Sequence, residues 1–186
     1  MKACLLKTIC LSAIGVILAF SAVTYTSCST DKCQALVCAY GGICKDGTCI
    51  CPSGYEGANC QTRTRDRYWG IWQVNEIGTI STQTSFTLAI DTDYSGNAIN
   101  VRINNFYNRY KLPTTVLAQV KGDTLTIPQQ TMPNDDVVQG WGYYQHNGSV
   151  YGQNGKLVVY FTVVNAQNVT DDFGVTAGSP SIWNQN

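Results

Sequence analysis

One histidine, two glutamates and two methionines in 186 residues leave this chain short of the side chains on which most enzymes rely. His146 stands alone in a Gln-His-Asn-Gly turn, so no nucleophile–base pair or zinc ligand set can be assembled around it. The paired aspartates, Asp135-Asp136 and Asp171-Asp172, are sequence neighbours in stretches that read as loops, where solvation accounts for them. Charged residues make up only 13% of the chain and cancel to zero, which excludes the basic footprint of a nucleic-acid binder. Helical apolar periodicity of useful length is lacking. So is any apolar run of the roughly 20 residues a spanning helix needs. Beyond Cys60 there is no cysteine. These shortages predict a protein that is not an enzyme and carries no metal or other cofactor.

The cysteines are concentrated instead. From Cys33 to Cys60 they run C-x4-C-x5-C-x4-C-x-C-x8-C, six thiols in 28 residues. So short a segment cannot bury enough apolar area to hold itself together, so covalent staples are expected, although spacing leaves their pairing open. The spacing resembles an EGF-like module, as does the filler in Cys38-Ala39-Tyr40-Gly41-Gly42-Ile43-Cys44 and Cys49-Ile50-Cys51-Pro52-Ser53-Gly54-Tyr55-Glu56-Gly57-Ala58-Asn59-Cys60. That resemblance implies the pairs Cys33–Cys44, Cys38–Cys49 and Cys51–Cys60, each worth roughly 2–3 kcal/mol in the chain-entropy model. Asp46-Gly47 suits a tight hairpin turn between Cys44 and Cys49. The acidic cluster that calcium-binding EGF modules carry before the first cysteine is reduced here to Asp31-Lys32.

Three cysteines lie outside the module. Cys4 and Cys10 fall in residues 1–27, where Lys2 and Lys7 precede a mostly apolar stretch from Ile9 to Val23, the pattern of a secretory signal. Ser27-Cys28-Ser29 resembles a bacterial lipoprotein cleavage site, although Tyr25 stands where an aliphatic residue is usual. Acylation of Cys28 would leave no odd thiol in an oxidising compartment. Ordinary signal cleavage would leave that thiol free or paired with another chain. Loss of residues 1–27 leaves ten basic against twelve acidic residues, so the lipid rather than charge would hold the chain to a membrane. Residues 28–32 then form the anchored N-terminus, 33–60 a rigid spacer standing on the membrane, and 61–67 a polar, solvated linker containing Arg63, Arg65 and Arg67.

Residues 68–186 change character, becoming rich in Thr, Val, Tyr, Asn and Gly. Period-two alternation runs through Phe86-Leu88-Ile90, Ile99-Val101-Ile103, Leu125-Ile127 and Leu157-Val159-Phe161-Val163. The interleaved Val158, Tyr160, Thr162 and Val164 mark the last of these as covered on both sides. Turn signals at Ser95-Gly96-Asn97, Lys121-Gly122-Asp123, Asn147-Gly148 and Asn154-Gly155 separate the runs. The fold class predicted is mostly β: the disulfide-rich module followed by an antiparallel barrel or sandwich of about eight strands, closure removing exposed edges. Gly70-Ile71-Trp72 resembles the first-strand signature of lipocalin and related calycin barrels. Ile103-Asn104-Asn105-Phe106 and Gly122-Asp123-Thr124-Leu125-Thr126-Ile127-Pro128 are similar to small calycin-like domains of Gram-negative lipoproteins.

Binding is the expected chemistry. Gly140-Trp141-Gly142-Tyr143-Tyr144, with Tyr151 beyond, sets rings beside glycines, and together with Trp72 these rings are the candidate lining of a pocket for an apolar or sugar ligand. The competing account is that they fill a small barrel's interior. Tyr107-Asn108-Arg109-Tyr110 reads as a second aromatic loop at the rim. Asp91-Thr92-Asp93-Tyr94-Ser95-Gly96 begins like a calcium loop, but Arg102 occupies the position of its bidentate acid, and a hairpin explains the residues. Asp123-Thr124-Leu125 matches a pattern that some Gram-negative bacteria O-glycosylate and equally suits a turn entering a strand. The function expected is that of a lipid-anchored binding protein of the Gram-negative outer membrane, on its periplasmic or surface face. It would engage a protein or glycan partner; the alternative is a lipocalin-like carrier of a small ligand.

Overall fold

The structure is a computed structural model describing residues 31–146 and 155–185; the signal segment, Cys28 and Tyr151 lie outside these residues. The N-terminal module contains almost no apolar interior. Val37, Ile43 and Ile50 are exposed, and Cys60 is its one fully buried apolar residue. Disulfides Cys33–Cys44, Cys38–Cys49 and Cys51–Cys60 hold it in place of a core. Strands β1 (Ile43–Lys45) and β2 (Thr48–Ile50) pair across Asp46 and Gly47, both at positive φ as a tight two-residue turn requires. A second hairpin pairs β3 (Tyr55–Glu56) with β4 (Thr62–Arg63).

The solvated linker expected over 61–67 is not what forms. Those residues supply β4 and a 3-10 turn, Thr64–Arg67, whose Thr64 is buried and donates its amide to the Gly54 carbonyl at 3.0 Å. Arg67 is the reason. Its guanidinium lies between Glu56 of the module and Asp123 of the following domain and bonds both. Two carboxylates from separate parts of the chain outcompete water for this one cation.

The rest of the chain is a closed antiparallel barrel of eight strands. In chain order these strands are β5 (Gly70–Glu76), β6 (Thr84–Thr92), β7 (Asn100–Asn104), β8 (Val116–Lys121), β9 (Thr124–Thr131), β10 (Val137–Gln145), β11 (Lys156–Val164) and β13 (Ser181–Gln185). β5 to β11 form a meander, and β13 closes the wall by pairing with β11 on one side and β5 on the other. The short β12 (Thr170–Phe173) continues along the second half of β11. Alternation is clear in β8, where Val116, Ala118 and Val120 are buried while Leu117, Gln119 and Lys121 face out. Among the described residues no helix is long and apolar enough to cross a membrane.

Candidate functional site

The lumen is occupied by side chains. Trp72 is fully buried, donates its indole N–H to the Tyr68 carbonyl at 2.9 Å and meets Tyr144 edge-on. Trp183 lies in the same core, and Phe106, Phe161 and Phe173 pack below it, the last two stacked with centroids 4.2 Å apart. Trp72 therefore cannot share a pocket with Trp141 and Tyr143, which stand on the outer surface, 37% and 49% exposed. The expected interior lining is corrected by strand parity. On β10 the inward set is Val138, Gly140, Gly142 and Tyr144, so the rings at 141 and 143 point away.

The glycines do not make space beside those rings. They make it inside. A Cβ on Gly140 would stand 2.4 Å from the Tyr160 carbonyl oxygen and 2.5 Å from Phe161 Cβ, and one on Gly142 would stand 3.0 Å from Val159 Cγ2. Small residues on β10 thus let β11 put its large ones into the lumen.

Outside, Trp141 opposes Tyr160 of β11, and the two rings stack at 4.2 Å with 22° between planes. Tyr143 approaches Trp141 edge-on at 5.1 Å. Next to this cluster the β9–β10 ladder jumps from Val138–Gln130 to Gly140–Ile127, so Pro128 and Gln129 together face Gln139. Pro128 has no N–H to give to the ladder, which places the bulge where it falls. The bulge leaves a depression of about 250 Å³ bounded by Ile127, Gln129, Gln139, Gly140, Trp141 and Val175. None of these side chains is charged.

Val175 reaches the depression because Asp172 shapes the loop between β12 and β13. Its carboxylate accepts the amides of Val175, Thr176 and Ala177 at 2.7, 3.0 and 3.2 Å, and the Thr176 hydroxyl at 2.5 Å. Burial pushes the Asp172 pKa up, but these bonds outweigh it and hold the carboxyl below its ordinary range. The solvated loop acids expected from sequence are corrected here as well, since Asp136, Asp171 and Asp172 are all buried. Asp171 accepts the Ile80 amide and the Tyr107 hydroxyl at 2.9 and 2.8 Å, while Asp136 accepts the Tyr110 hydroxyl at 2.6 Å and pairs with Arg109 at 3.0 Å. These bonds fold the 106–110 loop inward as a plug at the far end of the barrel, so it is not an open rim. Beneath it Glu76 accepts a hydrogen bond from Ser181, whose oxygen accepts the Trp183 indole N–H, both at 2.7 Å. Burial pushes the Glu76 carboxyl up to about 7.

At the module end, His146 Nε2 lies 2.9 Å from Asp123, joining the Arg67 cluster in place of standing free in solvent. Asp123 and Thr124 act as the turn and first residue of β9, Thr124 pairing with Lys121 and Tyr143. Asp93 of the calcium-like stretch accepts bonds from Ser95 and Asn100, and Asp91 from Asn104, as a hairpin uses them. Among the described residues no three His, Cys, Asp or Glu side chains gather as metal ligands would.

Sequence reasoning overlooked Gln129 and Gln139, whose only signal was Pro128 directly after the Leu125-Ile127 alternation. It also left Tyr160 among residues expected to be covered, although parity with Val158 puts it beside Trp141. One comparison with known proteins bears on the module. Residues 36–63 match the Teneurin-like EGF domain family, a stretch containing five of the six module cysteines and reaching the end of β4.

Proposed function

We propose that this protein is a non-enzymatic binding protein of the cell envelope that displays a barrel on an EGF-like spacer and recognises its partner with the barrel's outer wall. One observation carries the reading: large side chains occupy the lumen, while Trp141, Tyr143 and Tyr160 form an aromatic cluster on the outside. Isolated exposed apolar residues are ordinary, but a packed group of rings on a strand surface marks a contact site. A carrier of the lipocalin kind would need the volume that Trp72, Trp183 and Phe161 fill. Attachment through an acylated Cys28 to the outer membrane of a Gram-negative bacterium belongs to the same proposal. It rests on the signal-like segment and on the cysteine count, since six of the seven thiols from Cys28 onward are in disulfides.

The test uses the full protein extracted from its own membranes. A denatured mass carrying acyl chains and lacking six hydrogens is expected, with no additional mass retained under native conditions. A ligand lost on denaturation would support the carrier instead. In a Cys28→Ser protein, which no lipid holds to the membrane, replacing Trp141 and Tyr143 by Ala together is expected to abolish retention on isolated envelopes; unchanged retention would remove the outer wall from the function.

A further inference from the structure

We propose that the depression beside Trp141 binds a pyranose ring of a neutral glycan, an inference that rests on the outer-wall reading above and names its ligand. Two observations support it together. The indole is fixed before any ligand arrives, stacked on Tyr160 at 4.2 Å and met edge-on by Tyr143 at 5.1 Å, so ordering it costs little on binding. An electron-rich ring face attracts the slightly positive C–H bonds that line one side of a pyranose. Beside it stand Gln129 and Gln139, exposed, and neither side chain takes a hydrogen-bond partner among the described residues. Each amide offers two donors and an acceptor, a set that matches neighbouring hydroxyl groups.

The lining also says what does not fit. Among the described residues no cation borders the depression to neutralise a phosphate, sulfate or carboxylate, and no anion to hold an amine. An acyl chain laid over Gln129 and Gln139 would strip water from two amides and give them nothing in return. The volume of about 250 Å³ suits one sugar ring. The Pro128–Gln129 bulge and the loop held by Asp172 give the ring two side walls that a regular barrel surface lacks.

The experiment titrates the disulfide-intact protein with neutral hexasaccharides of glucose, mannose, galactose and xylose, and with hyaluronate and heparin fragments as charged controls. Binding is read by calorimetry and tryptophan fluorescence. At least one neutral sugar is expected to bind. Trp141→Ala should weaken it about tenfold, equal to roughly 1.4 kcal/mol. Gln129→Ala with Gln139→Ala should do the same, and Trp141→Phe should keep part of the affinity. All variants are checked for an unchanged thermal transition. Binding confined to the charged controls, or binding indifferent to Trp141→Ala, would overturn the inference. Retention of the same variants on isolated envelopes, each made with Cys28→Ser so that no lipid holds it, separates the two levels. Loss of retention in Trp141→Ala without any sugar binding overturns the glycan and leaves the outer wall. Retention that survives loss of both Trp141 and Tyr143 overturns both.

Discussion

Glu76 sits buried beneath the plug, its carboxyl pushed up to about 7 by burial, with the Ser181 bond pulling the other way. An acid whose folded pKa lies above its unfolded value near 4.5 binds its proton more tightly in the folded state. Its contribution is complete below that lower value and is lost as pH rises through about 7, up to roughly 3 kcal/mol. Glu76→Gln is therefore expected to flatten the dependence of Tm on pH between these limits and to raise Tm at pH 8. An unchanged slope would assign it elsewhere. Gly140→Ala tests the opposite wall. With 2.4 Å to the Tyr160 carbonyl, the added methyl should cost about 2 kcal/mol by denaturant titration. At this scale the sequence was partly legible. Alternation found Leu88, Ile90, Val101 and Ile103, because parity along a strand is local. It could not find Glu76 with Ser181, 105 residues apart, or Asp171 with Ile80 and Tyr107, because those partners meet only when the barrel closes.

Single acids organise whole segments of this fold. Asp172 gathers three amides and a hydroxyl into the loop that carries Val175, so Asp172→Ala should free residues 174–180. Faster hydrogen exchange there, with the amides of β10 still protected, is the expected outcome, along with a stability loss of about 2 kcal/mol. Uniform exchange throughout the barrel would mean that the loop is part of the core. The strands themselves were legible, since Val, Ile, Thr and Tyr alternate between clear turn signals. The bulge was not, for Pro128 shows only that a ladder bond is missing, not which strand yields. The helical turn at Thr64–Arg67 was hidden because its polar residues read as solvent-seeking until Glu56 and Asp123 are seen on either side of Arg67.

The two halves of the molecule are stabilised by different means: disulfides without a core, and a core without disulfides. Reduction should therefore unfold residues 33–60 and leave the barrel standing, its Tm within about 5 °C of the oxidised value. Calorimetry with and without a phosphine reductant checks this, and joint loss of both would mean that the Arg67 contacts hold the barrel together. That the chain joins such a module to an all-β domain was visible from the cysteine spacing and the change in composition, and the resemblance to calycin domains implied that it closes as a barrel. That the two are clasped was not, because the clasp is built from residues 56, 67 and 123. The route of the chain through this clasp has a mechanical consequence. The module sits at the end of the barrel where β5 begins, and β5 is held by seven residue pairs to β6 and four to β13. A pull on the module along the barrel axis meets those ladders in shear, where their hydrogen bonds share the load and cannot be opened one at a time. If the outer wall grips its partner while the N-terminus is tethered, tension enters the barrel through β5 and is spread over both of its ladders.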